Sequence, residues 1–356
     1  MKIFFPFKKE ASFYFDEILE YTVNEFVFGC YTEYSSEFGV VNIHWPESIF
    51  NWKEPTEEQL KDFELALNEW KKKSKIIYTV HNLYPHSGNT KIYERLYEII
   101  ACNADLFIHL GYFSENLFKD KYPLVEHKVL RHPLFDKTYR KFKKDYAREK
   151  LGIEKDAIVF ITPGRIRNLN EKKFILKAFK SVHINNKVLL ATNMLREHKK
   201  IEFPGKYRLK KWIGINKILE KYFQRRYVKP NYIFNYEFMD NDSLSLYMSA
   251  ADILLIPRIE ILNSGLLFLG LTYKKIIIGP CRGNVTEHLK ILQLPIFEPN
   301  DFKSVKLSLN NALQIFKEGG CVFEDSVLND FKPKNVAFEY DNLITQVVEN
   351  NNLKNE

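Results

Sequence analysis

Short apolar runs, rich in Ile, Val, Leu and Phe, punctuate the whole chain, and most are too short to be helices. They occupy Val40 to His44, Lys75 to Val80, Asp105 to His109, Ala157 to Thr162, Lys187 to Thr192, Tyr232 to Tyr236, Asp252 to Ile256, Ile276 to Ile278 and Pro295 to Phe297. Between many of them lie stretches with apolar residues at three- and four-residue spacing: Glu57 to Lys72, Lys91 to Ala101, Glu171 to Ser181 and Ser243 to Ala250. Strands that are apolar throughout belong to parallel sheets buried on both faces, and their alternation with helices is that of repeated βαβ units. The pattern predicts an α/β protein.

One unit carries more than pattern. Ala251 to Ile256 reads as a buried strand, Gly265 to Tyr273 as an apolar helix and Lys275 to Gly279 as a second strand. In such a unit the carboxyl end of the first strand and the start of the helix face the binding crevice, which places Glu260 where a ligand sits. Asn263 and Ser264 are positioned to cap the helix, whose free N–H groups and dipole favour an anion such as a diphosphate. A carboxylate for hydroxyls beside an anion site suits a nucleotide sugar. The competing reading is an ordinary strand-to-helix turn with a solvated Glu260, so the other strand ends must decide.

Two of them carry chemistry. Ala157 to Thr162 runs into Pro163-Gly164-Arg165-Ile166-Arg167-Asn168. Gly164 permits close backbone approach, Arg165 and Arg167 offer forked donors to phosphate oxygens, and Lys172 and Lys173 follow on the next helix. Neither the GxGxxG nor the GxxxxGK[ST] pattern is present. In the N-terminal half, Lys75 to Val80 leads into His81-Asn82-Leu83-Tyr84-Pro85-His86, and Val40 to Ile43 leads into His44-Trp45-Pro46-Glu47. Three histidines and a tryptophan at two strand ends provide proton carriers, hydrogen-bond donors and an aromatic platform.

Length and charge refine this picture. At 356 residues the chain suits two domains better than one core. The polar stretch from Phe135 to Asp156 sets the expected division: residues 1–150, residues 151–333, and a C-terminal helix and tail over 334–356. Two Rossmann-like domains facing each other across a cleft are expected. A 45% hydrophobic and 15% aromatic composition excludes wholesale disorder. No run reaches the roughly 18 apolar residues of a membrane helix, and Met1 to Lys8 reads as a first strand rather than a signal peptide. Cys30, Cys102, Cys281 and Cys321 are too dispersed for a metal knuckle or redox pair, so reduced thiols and a cytoplasmic location are expected.

The formal charge of +8 is concentrated between Lys206 and Lys229, where Glu220 is the one acid and Trp212, Ile215, Ile218, Leu219 and Tyr222 interleave the cations. Such a segment is either the solvated face of a packed helix or a contact with an anionic membrane surface. No nucleic-acid-binding module accompanies the charge, so a nucleic-acid groove is the less favoured alternative for this segment and no nucleic acid is expected as a partner. Asp240-Asn241-Asp242 has the spacing of a metal-binding DxD, but it immediately precedes a helix, and Asn241 or Asp242 is better read as its cap.

Together these segments resemble the GT-B glycosyltransferases, in particular the retaining family 4 enzymes that build bacterial surface polysaccharides from nucleotide sugars. The resemblance spans nearly the whole chain. It is carried by His44 to Glu47, His81 to His86, Arg131-His132-Pro133, Gly164 to Arg167, Ala250-Ala251-Asp252 and Leu262 to Gly265. It implies a C-terminal domain that binds the nucleotide sugar and an N-terminal domain that binds a saccharide acceptor, lipid-linked in such pathways. Gly164, Arg165, Arg167, Lys172 and the Asn263-Ser264-Gly265 helix start would hold the diphosphate. Glu260 would meet donor hydroxyls, His81 would lie against the transferred sugar, and His44, Trp45 and His86 would meet the acceptor. The resemblance implies retention of configuration and no metal or other cofactor. It also implies a cytoplasmic protein, peripheral on the inner face of the cell membrane if residues 206–229 bind it.

Two positions depart from the family. The second glutamate expected eight residues after Glu260 is Phe268, which leaves Glu287 as the candidate for ribose. The lysine expected five residues after Arg165 is Asn170, so Arg167 or Lys172 stands in for it. The loss of the second glutamate also favours the alternative of a sugar- or nucleotide-binding protein without catalysis.

Overall fold

Two six-stranded sheets, each with every neighbouring pair parallel, organise the chain. The computed structural model describes residues 1–9, 13–85, 88, 90–196, 222, 225, 227, 230–321, 323 and 325–352. The first domain runs β1 (Lys2–Phe5), α1 (Phe13–Ile18), β2 (Glu25–Phe28), β3 (Val40–Ile43), α2 (Glu57–Trp70), β4 (Lys75–Val80), α3 (Lys91–Asn103), β5 (Leu106–His109), α4 (Tyr112–Lys121) and β6 (Glu126–Val129). The second runs α5 (Lys144–Leu151), β7 (Ile158–Arg165), α6 (Leu169–Ser181), β8 (Lys187–Asn193), β9 (Tyr232–Phe234), α7 (Asn241–Ala250) and β10 (Ile253–Leu255). It continues through α8 (Gly265–Thr272), β11 (Ile276–Pro280), α9 (Gly283–Ile291), β12 (Ile296–Phe297), α10 (Phe302–Lys317) and α11 (Asp325–Asn329), and the chain ends in α12 (Pro333–Asn352).

The strand orders are β2-β1-β3-β4-β5-β6 and β12-β11-β10-β7-β8-β9. Each order reverses once, between β1 and β3 and between β7 and β10, and ligands in doubly wound sheets bind at such reversals, beyond the carboxyl ends of the strands. The helices cover both faces because their apolar positions recur on one side. In α2 these are Leu60, Phe63, Leu67 and Trp70, all buried, and a reciprocal Thr56–Gln59 capping box starts the helix.

The division between domains comes earlier than residue 150. Leu134, Phe135, Tyr139, Ala147 and Ile153 already pack in the core of the second domain. The charged look of this stretch misleads because its central arginine is buried: Arg148 donates from Nη2 to Asp252 Oδ2 at 2.7 Å, and the same oxygen accepts from Val159 N at 2.8 Å. Lys144 meets the other Asp252 oxygen at 2.5 Å. A buried pair with its hydrogen bonds completed is costly to break on one side only.

The chain finally returns to the first domain. In α12, Val336, Ala337, Tyr340, Ile344 and Val347 pack against Ile3, Phe5, Phe15 and Val40. Asp341 accepts from Thr22 Oγ1 at 2.6 Å and Asn24 Nδ2 at 2.7 Å. The expected C-terminal helix is therefore the last layer of the first domain. Apart from Tyr222, Arg225 and Tyr227, the basic segment 206–229 lies outside the described residues. No helix among the described residues is long and apolar enough to cross a membrane.

Candidate functional site

At the reversal of the second sheet, the next-to-last residue of β7 is Gly164, whose φ of 77° lies in the left-handed region that favours glycine. The turn is held by a 2.8 Å bond from Gly164 N to Thr192 Oγ1. It sends the chain into a loop where Arg165 and Arg167 are exposed and Ile166 is buried between them. Asn168 caps α6 by accepting from Glu171 N, and Glu171 Oε2 accepts from Arg167 N at 2.7 Å. A Cβ built on Gly164 would lie 3.6 Å from Leu266 in the first turn of α8. The phosphate-loop candidate and the start of that helix are thus neighbours.

Beyond β10 the chain adds a residue that sequence reasoning passed over. Arg258 Nη2 donates to the Arg165 carbonyl at 2.9 Å, and Nε lies 3.7 Å from Glu171 Oε1. Burial, then the charge of Arg167, pushes its guanidinium below the usual arginine range, while Glu171 opposes the shift. Arg258 and Glu260 line a crevice of about 540 Å³ with Arg167, Lys177, Glu171 and Asp301. Three cations and three carboxylates around one opening suit a ligand that carries phosphate and hydroxyls. The spacing of Arg258 two residues before Glu260 was visible, but nothing in sequence separated it from a surface arginine.

At the reversal of the first sheet the chemistry is drier. His44 is 1% exposed and His81 is 8% exposed. Their rings are joined through His44 Nδ1 and His81 Nε2 at 2.8 Å, and Trp45 stacks on His81 at 4.3 Å between centroids. Tyr14 presents its edge to His44, His81 and His132 at 5.4, 5.9 and 5.3 Å. Burial alone lowers His44 to about 3, and burial lowers His132 to about 4, a shift that the hydrogen bond to the Pro133 carbonyl opposes. Burial also pushes the Tyr14 phenol well up. Two buried polar atoms here, Tyr14 OH and His44 Nε2, have no partner among the described residues. Two such atoms lying close together make this cluster a candidate site. Tyr14 carries no sequence signal. His86 lies outside the described residues.

Polar bonds across the domains bring these halves together, and they redirect several expected residues. Asn263 does not cap α8. Its Nδ2 donates to the His81 carbonyl at 2.8 Å, and its Oδ1 accepts from Asn284 Nδ2 at 2.8 Å. Ser264 holds the cap position without a side-chain cap bond, and its buried hydroxyl has no partner among the described residues, beside an exposed Gly265. Glu287 is not free to meet ribose: Oε2 accepts from Phe113 N at 2.9 Å, and Oε1 meets Arg131 at 3.4 Å. It caps α4 across the domain boundary. Gly111 permits this approach, since a Cβ there would fall 2.7 Å from Asn284 Cγ and 2.8 Å from Glu287 Oε1.

Lys172 also turns away from the crevice. It is 2% exposed and donates from Nζ to the Leu195 carbonyl at 2.8 Å, because it shares the buried face of α6 with Ile175, Leu176 and Phe179. Phe268 is buried and stacks on His132 at 4.3 Å, with planes 7° apart. The missing second glutamate is thus a packing residue at the domain junction. The DxD-like acid is a cap, supplied by Asp240, which accepts from Ser243 N at 2.7 Å. Among the described residues no group of three or more His, Cys, Asp or Glu is placed to hold a metal ion.

No family matches the sequence, and no curated protein matches it either. Solved structures do. HepE from Anabaena in complex with UDP-glucose aligns over 98% of this chain and 99% of its own, with a TM-score of 0.61 at 12% identity. Sucrose-phosphate synthase from Thermosynechococcus elongatus aligns over 89% and 75%, with a TM-score of 0.60 at 13% identity. A trehalose-6-phosphate structure from E. coli bound with UDP-2-fluoro glucose aligns over 87% of this chain and 73% of its own, with a TM-score of 0.56 at 13% identity. The fold is that of the GT-B glycosyltransferases.

Proposed function

We propose that the chain is a glycosyltransferase that moves a hexose from a nucleotide sugar to a saccharide acceptor, with retention of anomeric configuration. The observation that carries this reading is the bond from Asn263 to the His81 carbonyl. It couples the start of α8, beside the Gly164–Arg167 loop, to the histidine cluster of the opposite domain. A donor seated with its diphosphate at Arg165, Arg167 and the α8 N-terminus would present its sugar toward His81, with Glu260 and Arg258 on its flank. The neighbours solved with UDP-glucose and UDP-2-fluoro glucose support a nucleotide sugar as the donor class.

In the proposed reaction the bond from the anomeric carbon to the diphosphate breaks, and a bond to an acceptor oxygen forms on the same face of the sugar. Charge grows on the departing diphosphate. Arg165, Arg167 and the free N–H groups of α8 stabilise it, so no metal is required. His81 donates or accepts a hydrogen bond at the reacting sugar, and His44 fixes its ring. A lipid-linked acceptor in surface polysaccharide assembly, on the cytoplasmic face of the membrane, completes the proposal. The charge of residues 206–229 supports it.

The experiment offers UDP-, ADP- and GDP-linked hexoses with extracted lipid-linked saccharides and follows nucleoside diphosphate release and product mass. Release that depends on acceptor, with an α-linked product from an α-linked donor, is the expected result. Binding of a nucleotide sugar with no turnover under any acceptor would leave the non-catalytic alternative standing, which the replacement of the second glutamate by Phe268 favours.

A further inference from the structure

A second cavity, of about 470 Å³, lies in the first domain and shares no lining residue with the charged crevice. It is bounded by α3 and α4 and closed by the loop that leaves β4 at His81. Its size falls within the roughly 300–1,000 Å³ of small-molecule sites. The walls include Tyr84, Tyr97, Phe118 and Tyr122 together with Glu98 and Lys121.

Some of these rings are accounted for by packing. Phe118 and Tyr122 each lie against Phe107, at 5.3 and 5.4 Å between centroids. Tyr84 is not accounted for that way. It is 64% exposed and makes no ring contact among the described residues. Leu117, also on the lining, is 43% exposed, so the lining sets accessible apolar surface beside charged groups.

The mixture selects among occupants. A hydrocarbon chain would take Glu98 and Lys121 out of water and offer neither a hydrogen bond in return, leaving only the bond of Lys121 to Tyr122 and its attraction to Glu98. An anionic ligand would meet Glu98 and Glu94. A neutral sugar offers an apolar C–H face to an aromatic ring and hydroxyls that bond to a carboxylate and an ammonium, and so satisfies both kinds of wall. Position agrees. Tyr84 follows His81 by three residues, at most about 11 Å of extended backbone. An acceptor whose end unit reaches His81 can lay its preceding units across Tyr84.

We propose that this groove is a saccharide subsite that holds the acceptor units behind the one that reacts. Tyr84 is its stacking platform, and Glu98 and Lys121 are its hydrogen-bonding groups. The assignment rests on the acceptor role given above to the first domain.

The test compares the wild-type chain with a Tyr84→Ala/Glu98→Gln variant on a printed array of mono- and oligosaccharides. Melting with and without UDP-glucose runs in parallel, and phosphatidylglycerol vesicles serve as the lipid probe. Both side chains are exposed, so folding is preserved. The expected result is retention of oligosaccharides of two or more units by the wild type, at least tenfold weaker in the variant, with an unchanged UDP-glucose response. No retained glycan, equal retention by the variant, or a loss confined to vesicle binding overturns the subsite. A response to UDP-glucose alongside equal glycan retention removes the subsite and leaves the transferase reading. Glycan retention lost in the variant, with no response to UDP-glucose in either chain, upholds a saccharide-binding groove and counts against UDP-glucose as the donor.

Discussion

At the ends of β3 and β4 the first domain packs His44, Trp45 and His81 into a nearly dry cluster, while at the ends of β7 and β10 the second leaves Arg165, Arg167 and Glu260 in solvent. Both are strand-end crevices at a sheet reversal. They differ in what holds them. The first is positioned by ring contacts and buried nitrogen pairs, which give a neutral, preorganised surface. The second is positioned by backbone bonds to Glu171 and Arg258, which leave its cations ready to meet an anion. A transfer reaction benefits from this division: charge must be captured and released on one side, and water excluded on the other.

The comparison is broken most severely at its charged side. Arg165→Ala should lower kcat/KM for transfer about 100- to 1,000-fold, the loss expected when one donor to a developing charge is removed. Melting should stay unchanged because the side chain is exposed. Steady-state kinetics with a calorimetric melt check both halves of that expectation.

The dry side should reveal itself through pH. The folded pKa of His44, about 3, lies below its ordinary value near 6.5, so below that value the unfolded state binds more protons than the folded one. The stability this histidine contributes is therefore complete above about pH 6.5 and lost as pH falls toward 3. By pH 5 the loss is about 2 kcal/mol. His44→Phe should flatten the urea-denaturation profile between pH 6.5 and 5 by that amount, and an unchanged slope would remove the dry-cluster account.

The link between the two sides should matter less. Asn263→Ala removes one bond to the His81 carbonyl and one from Asn284, at a cost of about 1 kcal/mol. It should lower kcat more than it weakens nucleotide-sugar binding, which fluorescence titration and initial rates separate. The smallest expected effect is that of a chelator. Ethylenediaminetetraacetate should leave the transfer rate unchanged, as the proposed stabilisation of the diphosphate by arginines requires.

Much of the architecture was legible because central parallel strands are apolar on both faces. Lys75–Val80, bounded as expected, has Ile76 to Val80 fully buried. The edge strands Glu25–Phe28 and Glu126–Val129 were not seen, since each has a single neighbour and carries charge. The strand-end residues were legible by topology alone: Gly164 and Arg165 close β7, and Arg167, His44 and His81 lie just beyond their strands, all at or beside a reversal. Partners across the domain boundary were not. Asn263 and Glu287 had the right chemistry for a cap and a ribose contact, but the residues that claim them are some 180 and 170 positions distant in sequence. Lys172 was decidable, because helical spacing puts it on the face of Ile175, Leu176 and Phe179.

Hydrogen–deuterium exchange with saturating UDP-glucose addresses the central claim most directly, because it reports where a nucleotide sugar sits without requiring the acceptor. The account predicts slowed exchange over Gly164–Asn168 and Arg258–Leu266, with Arg165→Ala abolishing it. Protection confined to the strand ends of the first domain, or no protection from any nucleotide sugar tested, would contradict it.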